Sequence, residues 1–290
     1  MSKLVIGCGY LGSRVARRWQ TRGETVFVTT RSPERAEQLS QKGLVPRVWD
    51  IVDTSRSHSL PPVQTVVLAV GYDRSSAATR EQVYVQGLDH VLQSLPPQVE
   101  RLVYVSSTGV YGQTDGGWVD EESPCEPTRS GGQACWKAEQ MLKTHPVWGG
   151  RSVILRMAGL YGPGRIPRLN LLVAGHPLPA AAKGFLNLIH VEDAADAVLL
   201  AESDQRCPAT YCVADGQPCL RREFYEELAR LVGAPAPQFV PPQTGSSAWE
   251  RSGANKRVDS QRFLRHFGHQ WRYPAFREGL AASVVDVKVP

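Results

Sequence analysis

The sequence predicts an α/β fold, a doubly wound parallel sheet followed by a smaller C-terminal α/β lobe, and three observations predict it. Short apolar runs rich in β-branched residues (Leu4-Val5-Ile6, Thr25 to Thr30, Leu44 to Trp49, Thr65 to Val70, Leu102 to Val105, Ser152 to Leu155) alternate with stretches of helical periodicity. Strands of that kind are buried on both faces beneath crossover helices. The first strand runs straight into a glycine turn, Gly7-Cys8-Gly9-Tyr10-Leu11-Gly12, that opens a helix marked by Leu11, Val15, Ala16 and Trp19. The chain of 290 residues is 42% hydrophobic, enough for a substantial core.

The elements follow in order. Gly23 ends the first helix, and Ser32-Pro33-Glu34 starts the second, with serine as N-cap, proline at the first helical position and an acid in the first turn. Gly43 closes it. A longer helix is expected near residues 78 to 95, with Tyr84, Leu88, Val91, Leu92 and Leu95 on one face, stopped by Pro96-Pro97. The segment from Gly109 to Ser130 reads as a long loop, which in a compact domain is usually functional. A helix follows from about Gly132 to Lys143. Beyond the turn Tyr161-Gly162-Pro163-Gly164 the rhythm loosens, with a short strand at Phe185 to Ile189 and a helix from about Glu192 to Ala201. Residues 1 to 164, with 186 to 205 returning to them, are expected to form a Rossmann-type domain. Residues 165 to 185 and 206 to 290 are expected to form a substrate-binding lobe over the strand C-termini.

Composition narrows the function. The formal charge of +5 is mildly basic, but the arginines are scattered, and Arg14, Arg17, Arg18 and Arg22 fit the solvated face of the first helix. No nucleic-acid footprint is visible. The cysteines at 8, 125, 135, 207, 212 and 219 form no metal-ligand spacing, so no metal is expected and the thiols read as reduced and mostly buried. The N-terminus enters the first strand without a signal peptide, and no apolar run reaches the roughly 20 residues a bilayer requires. A cytoplasmic protein with no membrane partner is expected, as a monomer or homodimer.

The order strand, glycine turn, helix points to dinucleotide binding. Gly7 allows the tight bend, Gly9 lets backbone approach a pyrophosphate, and Gly12 lets helix and strand pack closely, with Tyr10 and Leu11 completing the turn. The helix N-terminus offers N–H groups to the phosphates. At the end of the second strand stands Thr30-Arg31-Ser32, with Arg35 one turn on and no acid where a ribose 2′-hydroxyl would be held. Arg31 suits a 2′-phosphate, so NADP is expected over NAD. Asp50, followed by Ile51, either accepts a hydrogen bond from the adenine amino group or caps its own turn. Ala69, Val70 and Gly71 are small enough for a cofactor to lie against the sheet edge.

At Val105-Ser106-Ser107-Thr108-Gly109-Val110-Tyr111-Gly112 the sequence resembles the extended short-chain dehydrogenases/reductases, the epimerase/dehydratase group. Asp120-Glu121-Glu122-Ser123-Pro124 with Pro127, Lys137-Ala138-Glu139, Leu155-Arg156, Tyr161-Gly162-Pro163-Gly164 and Asn187-Leu188-Ile189-His190-Val191-Glu192-Asp193 are similar to that group as well. The resemblance covers residues 1 to about 235. It implies a Ser, Tyr, Lys constellation beside the nicotinamide, in which tyrosine is the acid/base and lysine, four residues on, holds the ribose. Ser107 takes the serine position. Counting back from Lys137, the tyrosine position is Gln133, whose amide carries no titratable proton near neutral pH.

No tyrosine lies between Gly112 and Val147, so the chain resembles atypical members that lack this residue. Ser107 and Lys137 remain candidates to hold ribose. Tyr111, Tyr161 and His190 are candidate replacement acids, each with a structural alternative in which the ring packs and the polar tip bonds backbone. Thr108, Gln133, Tyr161, Arg165 and Asn170 are expected to face a small polar substrate, with sugar- or nucleotide-like molecules among the candidates. Two readings follow: an oxidoreductase or epimerase with altered acid/base chemistry, or a silent regulator that senses NADP(H).

Overall fold

A computed structural model describes residues 1–54, 60–204, 206, 208–246, 248–249 and 253–285. The chain divides into two compact units. The first comprises Met1–Val110, Pro127–Arg156 and Ala195–Tyr211, and the second Tyr111–Glu126, Met157–Ala194 and Cys212–Pro290.

The six predicted runs form β1 (Ser2–Ile6), β2 (Thr25–Thr30), β3 (Val45–Val48), β4 (Thr65–Leu68), β5 (Arg101–Ser107) and β6 (Ser152–Met157), and a strand the sequence did not single out, β7 (Ala209–Val213), joins them. They make one seven-stranded sheet in the order β7-β6-β5-β4-β1-β2-β3. The ladders β1 to β2, β1 to β4, β2 to β3 and β4 to β5 are parallel, as expected of a Rossmann fold. Pro46 lies in β3, at the sheet edge, where a missing N–H costs no ladder bond. The strand order reverses between β1 and β4, and an open sheet of this kind binds its ligand at that switch point.

Both faces of the sheet are covered. Leu4, Ile6, Val66, Leu68 and Leu102 form one core with Leu88, Val91 and Leu92. Helix α1 (Gly12–Thr21) turns in Val15, Ala16 and Trp19, all fully buried. Burial of each such side chain contributes roughly 1.5–3 kcal/mol before the cost of ordering it. Helix α2 (Pro33–Ser40) starts as its sequence predicts, with Ser32 Oγ accepting the Arg35 N–H at 3.1 Å.

The helix expected at 78 to 95 differs in its first half. Residues Gln82–Gln86 form a π-helical turn that leads into α3 (Gly87–Ser94). At Gly87 the backbone packs so closely that a Cβ would lie 2.7 Å from Ile51 Cδ1. A widened turn of this type re-aims its side chains and is frequent at functional sites. Helix α4 (Ser130–Thr144) completes this series.

In the second unit, α5 (Leu169–Val173), α6 (Val191–Glu202, shared with the first unit), α7 (Arg221–Val232), α8 (Gln261–Phe267) and α9 (Phe276–Ser283) accompany four short ladders. Tyr161, Leu172, Phe224, Leu228, Phe276 and Leu280 form its core. The segment read as a long loop is pinned here, because Trp118–Val119 pairs in parallel with Arg257–Val258 and the Arg257 guanidinium lies 5.0 Å from the Trp118 ring centre. No helix among the described residues is long and apolar enough to cross a membrane.

Candidate functional site

A cavity of about 240 Å³ opens at the C-terminal ends of β1, β2 and β4, lined by Gly7, Cys8, Gly9, Thr29 to Arg31, Trp49 to Val52, Ala69 to Gly71, Asp73, Ser76 and Val83. All belong to the first unit. Val83 reaches it from the π-helical turn.

The glycines explain its shape. Gly7 has φ +92°, in the left-handed region, and a Cβ there would lie 2.7 Å from the Ala69 carbonyl oxygen. At Gly12 a Cβ would be 2.2 Å from the Gly7 carbonyl oxygen and 2.9 Å from Val5 Cγ1, so only glycine lets α1 start so close to the turn. Gly9 is the reverse case. Nothing lies within 4 Å of where its Cβ would be, and it lines the cavity. Two glycines are required by the protein's own packing, whereas the third leaves open room. Helix α1 also begins without a side-chain cap: its Ser13 N–H bonds the Gly9 carbonyl at 3.0 Å and its Arg14 N–H the Leu11 carbonyl at 3.0 Å, so the turn's own backbone caps it and the positive end of the helix faces the turn. A phosphate-bearing ligand fits this cradle.

The rim of the cavity at the ends of β2 and β4 is mixed in charge. Thr30, Arg31, Asp50, Ile51, Val70 and Gly71 line the cavity as the sequence suggests. Asp50 Oδ1 accepts the Val52 N–H at 3.1 Å, so it caps its turn while facing the cavity. Arg31 Nη2 is 2.7 Å from Asp73 Oδ2. Ser75 holds the other carboxylate oxygen through its hydroxyl at 2.7 Å and its N–H at 3.0 Å. Hydrogen bonds from Ser75 and then from Arg31 hold the Asp73 carboxyl at about 2, below the usual carboxylate range. Ser32 and Arg35 stand outside the lining, Ser32 as the α2 cap and Arg35 on Gln38 Oε1 at 3.0 Å. Tyr10 and Leu11 are outside it too. Tyr10 carries the Arg14 guanidinium 4.3 Å from its ring centre, and Leu11 is buried. The Cys8 thiol is pushed up to about 11 by burial and is not a nucleophile at neutral pH.

The sequence pattern of the NAD dependent epimerase/dehydratase family matches residues 4–214. This chain belongs to that family. It is similar to Protein YeeZ of Escherichia coli K12, 30% identical over 277 residues that cover 93% of this chain and 95% of that one. It is also similar to a 3-diazoavenalumate denitrifying reductase of a Streptomyces species, at 24% identity over 97% of this chain and 99% of that one. A solved structure from Silicibacter pomeroyi, described as a functionally unknown conserved protein, superposes with a TM-score of 0.83 at 28% identity, covering 100% and 99% of the two chains.

In this epimerase/dehydratase family member Ser107 and Thr108 stand at the end of β5, and Gln133 and Lys137 stand on α4. Ser107 ends β5, and its Oγ accepts the Gly109 N–H at 3.0 Å. Thr108 follows it, buried. Helix α4 buries Gly132, Ala134, Cys135, Ala138, Glu139 and Leu142. Glu139 decides that phase. Its carboxylate accepts the Arg156 Nε at 3.1 and 3.2 Å and Nη2 at 2.8 Å, and takes the Ser106 hydroxyl at 2.6 Å, all buried. Lys137, two residues and about 200° away around the helix, is 60% exposed and bonds Glu81 Oε1 at 3.0 Å. Gln133 shares its exposed face. Gln133 and Lys137 thus stand on the face of α4 opposite the buried Glu139 to Arg156 pair.

The replacement acids lie in the second unit and are packed. Tyr111 is 2% exposed, and its hydroxyl donates to the Asp120 carbonyl at 2.6 Å beside Cys212 Sγ at 3.0 Å. His190 is buried between Tyr161 and Tyr273. Its Nδ1 accepts the Glu192 N–H, and because the Ser283 hydroxyl donates to the Gly279 carbonyl, Nε2 is the donor to Ser283 Oγ at 3.3 Å. That arrangement assigns a neutral imidazole. Tyr161 is fully buried in the core, and burial pushes its phenol pKa up. Tyr111 and His190 take the packing alternative, whereas the Tyr161 ring packs but its hydroxyl has no hydrogen-bond partner among the described residues. Arg165 and Asn170 are exposed, Arg165 closing the turn with Gly162 and Asn170 standing in the first turn of α5.

The sequence reading missed the Glu139, Arg156 and Ser106 network and missed Asp73. Asp73 had a visible signal, an acid two residues past the glycine that follows β4. The described cysteines, Cys8, Cys125, Cys135, Cys212 and Cys219, form no disulfide with one another, and Cys207 lies outside the described residues. No group of His, Cys, Asp or Glu among the described residues is arranged to hold a metal ion.

Proposed function

We propose that this protein binds NADP(H) in the β1, β2, β4 cavity and acts as an oxidoreductase or epimerase with altered acid–base chemistry on a small polar substrate. The observation that carries this reading is Arg31 on the cavity wall beside Thr30, with no acid at the end of β2. Gly9 and the start of α1 receive the pyrophosphate, Arg31 and Thr30 the 2′-phosphate, Asp50 and Ile51 the adenine, and Val70 and Gly71 the path toward the nicotinamide. When bound, the dinucleotide supplies hydride transfer. The name of the Streptomyces relative, a reductase, supports redox chemistry. Fluorescence titration with NADPH and NADH tests the cofactor assignment. NADPH binding more tightly, with the advantage lost in Arg31→Ala, is the expected result; NADPH no tighter than NADH removes it.

A second reading, a silent sensor of NADP(H), is favoured by one observation. Lys137 is turned to Glu81, and Tyr111, Tyr161 and His190 are all buried. A metabolite screen on NADPH-loaded protein, read at the reduced nicotinamide band, separates the two. Absorbance loss with any metabolite establishes turnover.

A further inference from the structure

Arg31, the residue expected to grip a 2′-phosphate, carries a counter-ion already. Asp73 Oδ2 is 2.7 Å from Arg31 Nη2, and both residues line the same cavity. The two come from different strand ends, Arg31 following β2 and Asp73 following β4. The carboxylate is anchored independently of the arginine, since Oδ1 takes both the hydroxyl and the N–H of Ser75 while Oδ2 takes the guanidinium. If Arg31 leaves, Asp73 stays as a negative charge on the cavity wall. It is ionised at every pH near neutral, as its lowered pKa indicates.

We propose that Asp73 sets dinucleotide choice by competing with the 2′-phosphate for Arg31, and so holds the preference for NADP(H) below what Arg31 alone would give. The inference rests on the cofactor reading above. Asp73 occupies the Arg31 Nη2 donor, so a phosphate that takes a bidentate edge including Nη2 competes with the carboxylate for it. The dinucleotide that has only a 2′-hydroxyl makes no such demand. Asp73 thus discriminates without being the acid that β2 lacks.

The test measures dissociation constants of NADPH, NADH, 2′,5′-ADP and 5′-AMP for the full chain by fluorescence and calorimetry. Asp73→Asn keeps size and the Ser75 contacts while removing the charge. Expected is about threefold to fivefold tighter NADPH and 2′,5′-ADP, the scale of one exposed ion pair, with NADH and 5′-AMP within about 1.5-fold. Ser75→Ala, which loosens the carboxylate, should act in the same direction by less. In an Arg31→Ala background Asp73→Asn should gain less than about twofold for NADPH. A purely structural role would move all four ligands together. Unchanged or weaker NADPH binding in Asp73→Asn, with normal NADPH binding by the wild type, overturns this inference alone. Wild type that binds none of the four overturns the cofactor reading and this inference with it.

Discussion

Glu139 and Lys137 leave helix α4 on opposite sides: one carboxylate is fully buried on Arg156 and Ser106, and one ammonium is 60% exposed on Glu81. The pair that ties α4 to β5 and β6 fixes the helix phase, and the surface pair follows from it. Exposed ion pairs contribute about 0–1 kcal/mol, whereas removing one partner of a buried pair leaves an uncompensated charge and costs about 3–5 kcal/mol.

Lys137→Ala should therefore leave stability within about 1 kcal/mol of wild type and leave NADPH affinity within about twofold. Glu139→Ala should lose about 3 kcal/mol or more in urea unfolding, because Arg156 is 1% exposed. An NADPH affinity that collapses in Lys137→Ala would return lysine to the ribose.

The glycines of the turn should separate by phenotype. Gly12→Ala forces a methyl to 2.2 Å from the Gly7 carbonyl, which only backbone movement relieves, so thermal unfolding should show a loss of about 3 kcal/mol. The Cβ of Gly9→Val meets no atom within 4 Å, and the variant should fold nearly as wild type. Its side chain fills the space a pyrophosphate would take, so NADPH affinity should fall at least about a hundredfold. Gly9→Val that binds NADPH normally would exclude the cradle as the phosphate site.

The contrast between these two predictions tracks what was legible in the sequence. Gly7 and Gly12 are visible because their constraint is local, a bend and a helix start within six residues. Ser32-Pro33 marks the α2 start for the same reason. The phase of α4 is not local. It depends on Glu139 meeting Arg156, 17 residues later and on another strand, and counting from Lys137 cannot supply that. Nor can a motif tell that the Tyr111 hydroxyl finds the Asp120 carbonyl, a backbone group that any residue would offer. Val83 enters the cavity through a π turn, whose looser register has no residue signature of its own. The cofactor cradle is thus readable from residues beside one another, and the Arg31 to Asp73 pair, across 42 residues, only from the fold.

The buried Asp215 makes stability depend on pH in a direction opposite to most carboxylates. It is 5% exposed, its Oδ1 takes the Gln217 N–H at 3.0 Å, and its Oδ2 has no hydrogen-bond partner among the described residues. Burial, reinforced by the charges of Asp193 and Glu278, raises its pKa from 3.8 to about 8. Between those values the folded chain holds a proton that the unfolded chain has released. The stabilisation is complete below about pH 4 and is lost as pH rises through 8, by up to about 1.4 kcal/mol per pH unit. Asp215→Asn keeps the shape without the titration. Urea unfolding of both proteins from pH 5 to pH 8.5 should give a difference curve in which the variant gains on wild type as pH rises, by at least about 2 kcal/mol across the range. Taking the difference cancels the groups that do not interact with Asp215. A flat difference curve would mean that Asp215 ionises in the fold as an ordinary carboxylate, with a partner for Oδ2.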